Sequence, residues 1–554
     1  YKWIGKNIPR RDIPKKFTGG AAYVHDLRLP GMIFGRVVRP PSPGATLVSF
    51  DEAAIRQMPG VIVVVRDGNF LGIAAEREEQ AVRASEALRK TAVWKETESL
   101  PSIEHLHEQM MQLPVKPVTV TEKNTPSASP AKTLTALYTR PFLVHGSLGP
   151  SCAVARWDTK ETGDTLQVYT HSQGVFPLRA ELAKAFNIDQ TLIRCTHVEG
   201  SGCYGHNGAD DVAFDAALIA RAIPDRPVKL QWMRDDEFMW EPYGSAMAMK
   251  MDASLDANGN VAQWSHELWS HSHSTRPGSS RGVNLLAARH LEKPLPVELP
   301  TEGVPPAGAS DRNSVPLYDF PNVKVTKHFI PETALRTSAL RTLGGYANVF
   351  ALESFMDELA TAANIDPVDF RLRHMKDDRA RAVIEAAARR ANWKPKHRGD
   401  GTNGWGFAFA KYKNLACYCA IAVNVRVDRR AGNVRVLQAV AAVDAGQVVS
   451  PDGVTNQIEG GIIQSTSWTL KEAVNFDRTR VTTRSWSDYP ILRFDEVPQV
   501  EVTILDHPEQ PSLGVGEASQ GPAAAAIANA IANATGKRLR ALPFTPDRMK
   551  QAFS

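Results

Sequence analysis

Apolar residues recur at helical spacing in several stretches of the chain. Val349, Leu352, Met356, Leu359 and Ala363 share one face of a helix predicted over 349–363. Ala81, Ala84, Ala87 and Leu88 do the same within 79–95, and further helices are expected over 211–222, 368–375, 380–391 and 462–473. Asp366 caps the 368–375 helix and Pro367 takes its first position, where a missing N–H costs nothing. The unbroken apolar run at 61–65 predicts a buried strand, and the run at 500–505 is strand-like. After the second run come a turn, Gly514-Val515-Gly516-Glu517, a Gly521-Pro522 pair and an alanine-rich helix closed by Gly536. Pro522 suits the first helical position and Gly536 the C-cap.

The same arrangement, a glycine-bearing turn feeding a helix, is read at three other places. Glu199 to Gly205 leads to 211–222, Arg341 to Gly345 leads to 349–363, and Gln457 to Gly461 leads to 462–473. Unpaired N–H groups at helix starts favour anions, so four such mouths would be economical around one polyanionic cofactor. Glu517 would then point into a site built for negative charge, which suits a base. Its plainer alternative is a first-turn carboxylate facing the helix dipole. No GxGxxG in a βαβ setting and no P-loop lysine is present, so the phosphate carrier is not obviously NAD or ATP. Stretches rich in Pro, Gly, Ser or Thr at 97–135, 274–319 and around 397–403 mark expected boundaries. The second is long enough to be a lid, an arm or disordered.

Composition narrows this only modestly. A chain of 554 residues, 43% apolar and 23% charged, has room for several ordinary globular domains. Its 65 basic and 60 acidic residues are mixed along the chain for a net +5, which argues against nucleic acid. No apolar run reaches the ~18–20 residues of a membrane span. The sequence opens at Tyr1 rather than Met, so a processed or trimmed chain is expected and its location, cytoplasmic or periplasmic through a partner, stays open. Five scattered cysteines make neither a disulfide framework nor an iron–sulfur, zinc or haem motif, so any metal is expected to lack thiolate ligands from the protein.

Taken in order, KFTGGAAYVHDLRLPGMIFGRVVRPPSPGA, GSGCYGHNGADD, ALRTLGGYANVFALESFMDELA, AVDAGQVVSPDGVTNQIEGG and GVGEASQGP resemble the molybdenum-cofactor large subunit of the xanthine oxidase family. The branch most resembled is that of isoquinoline 1-oxidoreductase and nicotinate dehydrogenase. The resemblance implies an α/β (α+β) chain with an N-terminal hammerhead α/β domain, 1–100, and a connector, 101–135. Two large molybdopterin-binding α+β domains follow, 136–400 (with the long loop 274–319) and 401–554. It implies molybdopterin cytosine dinucleotide, its molybdenum held by the pterin dithiolene with oxo, sulfido and hydroxo ligands. It also implies a small [2Fe-2S] subunit and a haem-bearing or flavin electron acceptor further along.

In that family a metal-bound oxygen attacks an electron-poor carbon, a carboxylate takes its proton and the metal centre accepts hydride. Glu517 matches the carboxylate, and an apolar, water-poor pocket would raise such a group's proton affinity towards the range a base needs. Gln173 resembles the glutamine that binds the apical oxo ligand; a helix-entry cap is its alternative. Gly202, Cys203, Tyr204 and Gly205 lie where relatives carry GGFG, Cys203 replacing one glycine. Gly344, Gly345, Gln457, Glu459, Gly460, Gly514, Val515 and Gly516 complete the implied cofactor contacts. Residues 206–208 lack the second active-site glutamate of purine-oxidising members, against a xanthine-like substrate. Arg341 and Arg336 are candidates for a substrate carboxylate or for transition-state charge, with an ion pair as the alternative. Phe176, Tyr346 and Trp486 could line a flat-ring pocket or be core, while His145 and Cys152 read as structural. The expected reaction is hydroxylation of a nicotinate-like N-heteroaromatic. An aldehyde dehydrogenase of the same build, a non-catalytic cofactor carrier and a purely structural protein are the rivals.

Overall fold

Three mixed sheets organise the computed structural model, which describes residues 2–161, 163–278, 282–303, 307–394 and 399–554. The first sheet runs, edge to edge, Ile193–His197, Thr165–Thr170, Cys152–Asp158, Val228–Gln231, Ile33–Val38, Phe70–Ala75 and Val61–Asp67. Ile33–Val38 pairs in parallel with Val228–Gln231, Ile33 facing Val228, so the N-terminal α/β unit shares one sheet with the segment after the connector. The second sheet orders Pro117–Asn124, Asn322–Ile330, Val261–His271, Met247–Leu255 and Lys132–Arg140. The third orders Asn403–Lys411, Tyr418–Asp428, Asn433–Asp444 and Gln499–Leu505. Among the described residues no helix is long and apolar enough to cross a membrane.

Helix Gln520–Thr535 is the hinge of the packing. It lies on strands Asn403–Lys411 and Tyr418–Asp428 and against helices Gly345–Ala362 and Pro451–Leu470. Its alanines and the glycines of the strand are two sides of one contact. A Cβ at Gly406 would stand 2.1 Å from the Ala526 carbonyl oxygen, so helix and strand backbones touch directly. Helix Gly345–Ala362 sits between the second sheet and Gln520–Thr535 and is buried through almost its whole length, not on the single face its spacing predicts.

Several expected boundaries shift. The 79–95 helix is Glu78–Thr91, and Val93–Lys95 instead pairs with Thr46–Ser49. Helices Pro367–Arg373 and Asp378–Arg390 agree closely with expectation, Asp366 accepting from the Val368 and Asp369 N–H groups. The 97–135 connector contains helix Leu106–Gln112 and strand Pro117–Asn124. The 274–319 stretch is packed: Val283, Leu285, Leu286, Ala287 and Ala288 enter the core beneath the first sheet. Residues 279–281 and 304–306 of that stretch, and 397–398 of the third boundary, lie outside the described residues.

The Gln457–Gly461 segment is a larger correction. It is not a turn before a helix but the middle of helix Pro451–Leu470. A Cβ at Gly461 would meet the Ser519 hydroxyl oxygen at 2.2 Å. Glycine here serves helix–helix approach, which outweighs its poor helix propensity.

Burial also sets an acid limit. Desolvation pushes His171, His266 and His271 down to about 4 and His290 down to about 3. The unfolded chain binds these protons first, so the stability they confer is complete above the ordinary histidine value of about 6.5 and drains away as pH falls towards about 4. Thermal melts should show Tm flat above that range and falling steeply across it; a flat Tm down to pH 4 would contradict this.

Candidate active site

Glu517 stands in the turn between strand Gln499–Leu505 and helix Gln520–Thr535, half-buried. The helix starts at Gln520, so Pro522 occupies its third position and still forfeits no bond, while Gly536 closes it in left-handed backbone. The Thr342 backbone N–H donates to Glu517 Oε1 at 2.7 Å. Tyr412 lies within electrostatic reach of the carboxylate. Thr342 reaches it because the turn before helix Gly345–Ala362 passes through left-handed backbone at Thr342 (φ 80°) and Leu343 (φ 55°). For a β-branched threonine that is a strained conformation, held only where the surroundings over-determine it.

Arg341 supplies much of that hold. Its backbone N–H donates to the Tyr204 carbonyl at 2.7 Å. Its guanidinium donates from Nε to the Gly516 carbonyl at 2.7 Å, from Nη1 to Gln464 Oε1 at 3.1 Å and from Nη2 to Gln457 Oε1 at 3.0 Å. Gly202 and Gly205 carry the neighbouring loop through φ of 105° and 136°, and Gln173 Nε2 lies 3.2 Å from Cys203 Sγ. The segments holding Gln173, Gly202 to Gly205, Arg341 to Gly345, Gln457 and Gly514 to Glu517 are thus linked by continuous contacts into one cluster. Gly344 caps helix Gly345–Ala362, and Val515, Glu459 and Gly460 lie on the same turn and helix.

The walls around Glu517 are polar rather than apolar. Arg276, Arg341 and Lys413 lie within electrostatic reach of the carboxylate, and burial lowers all three cations from their ordinary values. Tyr412, Lys413 and Thr342 were not anticipated from the sequence. The only trace of the first two is a Lys-Tyr-Lys-Asn run at a strand end, and Lys413 and Asn414 both turn out left-handed there.

Other expected site residues belong elsewhere. Arg336 forms a two-pronged pair with buried Asp211, Nη1 to Oδ1 at 2.9 Å and Nη2 to Oδ2. Burial would raise the Asp211 carboxyl, but Arg336 holds it below the usual range. Arg336 therefore has its charge spent inside the protein. Arg336→Met should cost about 3–5 kcal/mol of stability by leaving Asp211 unpaired. Urea unfolding would read that loss, and full stability in the variant would contradict the pairing. Tyr346 is core: 1% exposed, bonded to the Thr469 hydroxyl at 3.0 Å and edge-on to Trp468. Phe176 is 71% exposed, and Trp486 packs on Phe238 and Arg234. His145 donates its backbone N–H to Glu241 and its ring bonds the Ala339 carbonyl, while burial pushes Cys152 up to about 12.

An organic cofactor that carries its own metal ligands fits against this cluster. Gly460 and Gly514 leave open space, a Cβ at either meeting nothing within 4 Å, so a bound group can approach the backbone there. Among the described residues no three His, Cys, Asp or Glu side chains converge to hold a metal.

Comparison with known proteins agrees with this build. Residues 122–298 and 327–498 each match a molybdopterin cofactor-binding domain family. The chain is 39% identical to a nicotinate dehydrogenase subunit of Pseudomonas putida over its whole length, but spans only 47% of that relative. It is 28% identical to the beta subunit of isoquinoline 1-oxidoreductase of Brevundimonas diminuta, covering 99% of this chain and 68% of that one. Its fold matches quinoline 2-oxidoreductase from Pseudomonas putida 86 with a TM-score of 0.79 at 16% identity, over 99% and 98% of the two chains.

Proposed function

Because this chain belongs to the xanthine oxidase family of molybdopterin-dependent oxidoreductases, we propose that it forms the molybdenum-cofactor part of a hydroxylase. The substrate in this reading is an electron-poor N-heteroaromatic acid of the nicotinate type, and water provides the new oxygen. One observation carries it: a single carboxylate, Glu517, accepts from the Thr342 N–H where the cofactor-type segments of both halves meet. Bound there, the cofactor supplies a two-electron acceptor and the Lewis acidity that makes water a nucleophile. Residues Gly202 to Gly205, Gly344, Gly345, Gln457, Glu459, Gly460 and Gly514 to Gly516 would hold it, with Gln173 at its side. Glu517 takes the proton of the attacking water, and Arg341 keeps the Gly516–Glu517 backbone in register through the Gly516 carbonyl. The cytosine dinucleotide form, a [2Fe-2S] partner and a haem-bearing or flavin acceptor belong to the same reading. The names of the two curated relatives, each a subunit, support a multi-chain assembly.

With Arg336 committed to Asp211, positive charge for a ring carboxylate falls to Lys413 beside Glu517. Lys413→Met should raise KM for nicotinate roughly tenfold or more and leave a neutral aromatic aldehyde unaffected, since a charged hydrogen bond contributes about 1.5–3 kcal/mol. Steady-state kinetics with an artificial acceptor measure this. Equal effects on both substrates, with the aldehyde turned over faster, would move the assignment to aldehyde oxidation.

A further inference from the structure

Gln173 is exposed, yet the chain on both sides of it is fixed. Ser172, just before it, is 1% exposed and has every polar atom engaged. Its N–H donates to Thr170 Oγ1 at 3.2 Å and its carbonyl accepts from His197 Nδ1 at 3.0 Å. Its hydroxyl donates to Asp210 Oδ1 at 2.5 Å and accepts from the Gly174 N–H at 3.0 Å. Because an ionised carboxylate can only accept, the hydroxyl hydrogen goes to Asp210 and a lone pair stays free for Gly174. One side chain therefore holds both flanks of Gln173. Helix Val175–Phe186 is entered at Gly174 with no side-chain cap, so Gln173 does not serve the helix entry. Its amide instead donates to Cys203 Sγ at 3.2 Å, on the neighbouring glycine loop.

Asp210 is itself well anchored. It is buried in the first turn of helix Ala209–Ala222, where the helix dipole favours a carboxylate. Its Oδ2 stands 2.8 Å from His206 Nε2, at ion-pair distance but off the line of a hydrogen bond. His206 Nδ1 meets Ser338 Oγ at 2.8 Å, and the His206 N–H donates to the Ala339 carbonyl at 2.7 Å. One carboxylate thus ties the Gln173 turn to the loop of Gly202 to Gly205 and to the segment leading into Arg341.

We propose that Ser172, held by buried Asp210, is the positioning residue that presents Gln173 to the bound cofactor. This inference rests on the reading that places Gln173 at the cofactor's side. Four buried hydrogen bonds converge on one residue to fix the backbone of a single exposed neighbour, which is the support a ligand-facing side chain needs. Without the hydroxyl, Asp210 and the Gly174 N–H both lose a partner and the Gln173 peptide is free to turn. A displacement of about 1 Å from outside the chemistry can cost up to ~10²-fold in rate.

The test is a double-mutant cycle on the cofactor-loaded complex, read as kcat with nicotinate and an artificial acceptor, with molybdenum content measured on each preparation. Ser172→Ala should keep its molybdenum and lower kcat about tenfold. Gln173→Ala should lower kcat at least as far. In the Gln173→Ala background, Ser172→Ala should change nothing more, because the side chain it positions is already gone. A purely structural serine would instead multiply kcat by the same factor in both backgrounds, and that result would overturn the inference. Parent-like kcat in Ser172→Ala would also overturn it, as would a loss of kcat that only tracks a loss of molybdenum. Asp210→Asn keeps an oxygen for the Ser172 hydroxyl and serves as the second cycle should Ser172→Ala fail to assemble. Its effect on kcat should shrink in the Gln173→Ala background, and an undiminished effect there would overturn the inference. Parent-like kcat in Gln173→Ala would overturn the placing of Gln173 at the cofactor, whereas an impaired Gln173→Ala beside an unaltered Ser172→Ala would overturn only the positioning role.

Discussion

Glu517→Gln should retain its molybdenum and lose turnover by about 10²–10⁴-fold, the range a positioned general base contributes. The substitution keeps shape and a hydrogen-bonding oxygen, so the Thr342 N–H can still be satisfied and the turn before helix Gln520–Thr535 should hold. What disappears is the capacity to accept a proton. Metal analysis and steady-state turnover on the same preparation separate the two effects. Undiminished turnover would remove Glu517 from the chemistry, and loss of molybdenum would make the residue a cofactor contact instead.

Gly406→Val should be the most damaging single change to the fold. Its first added carbon would land 2.1 Å from the Ala526 carbonyl oxygen and 2.2 Å from the Ala530 nitrogen, both backbone atoms of a buried helix. No rotamer relieves a clash with main chain. Strand Asn403–Lys411 and helix Gln520–Thr535 would have to separate, and overpacking on this scale costs about 3 kcal/mol or more. Because that helix follows directly from the Glu517 turn, cofactor content should fall together with stability. Chemical denaturation and molybdenum content measure the pair of effects; a stable, fully loaded variant would refute the close contact.

Local signals carried much of the fold. Asp366 with Pro367 announced helix Pro367–Arg373, and Gly536 closed its helix in left-handed backbone as expected. What local pattern could not express was packing. Gln457 to Gly461 reads as a helix entry, yet Gly461 is mid-helix because Ser519 presses against it. The 274–319 stretch looks like a linker by composition but is tied down by buried polar contacts such as those of Arg312, which no periodicity records. In the site, the glycine-led segments around Glu517 were legible and do converge. Arg341 and, second to it, Arg336 are both substrate candidates in sequence, and only the fold gives Arg336 to Asp211 and Arg341 to Gly516, Gln457 and Gln464. Tyr412 was invisible because it is brought to Glu517 from 105 residues away by the third sheet, with no motif around it.

The central claim is that one molybdenum-bearing cofactor sits where these segments meet, with Glu517 facing its reactive side. Anomalous diffraction at the molybdenum absorption edge from crystals of the loaded complex locates the metal without reference to any assumed pose. The account predicts a single peak beside Gln173, Arg341 and Glu517. A peak elsewhere in the chain, or fully active crystals with no molybdenum signal at all, would contradict it.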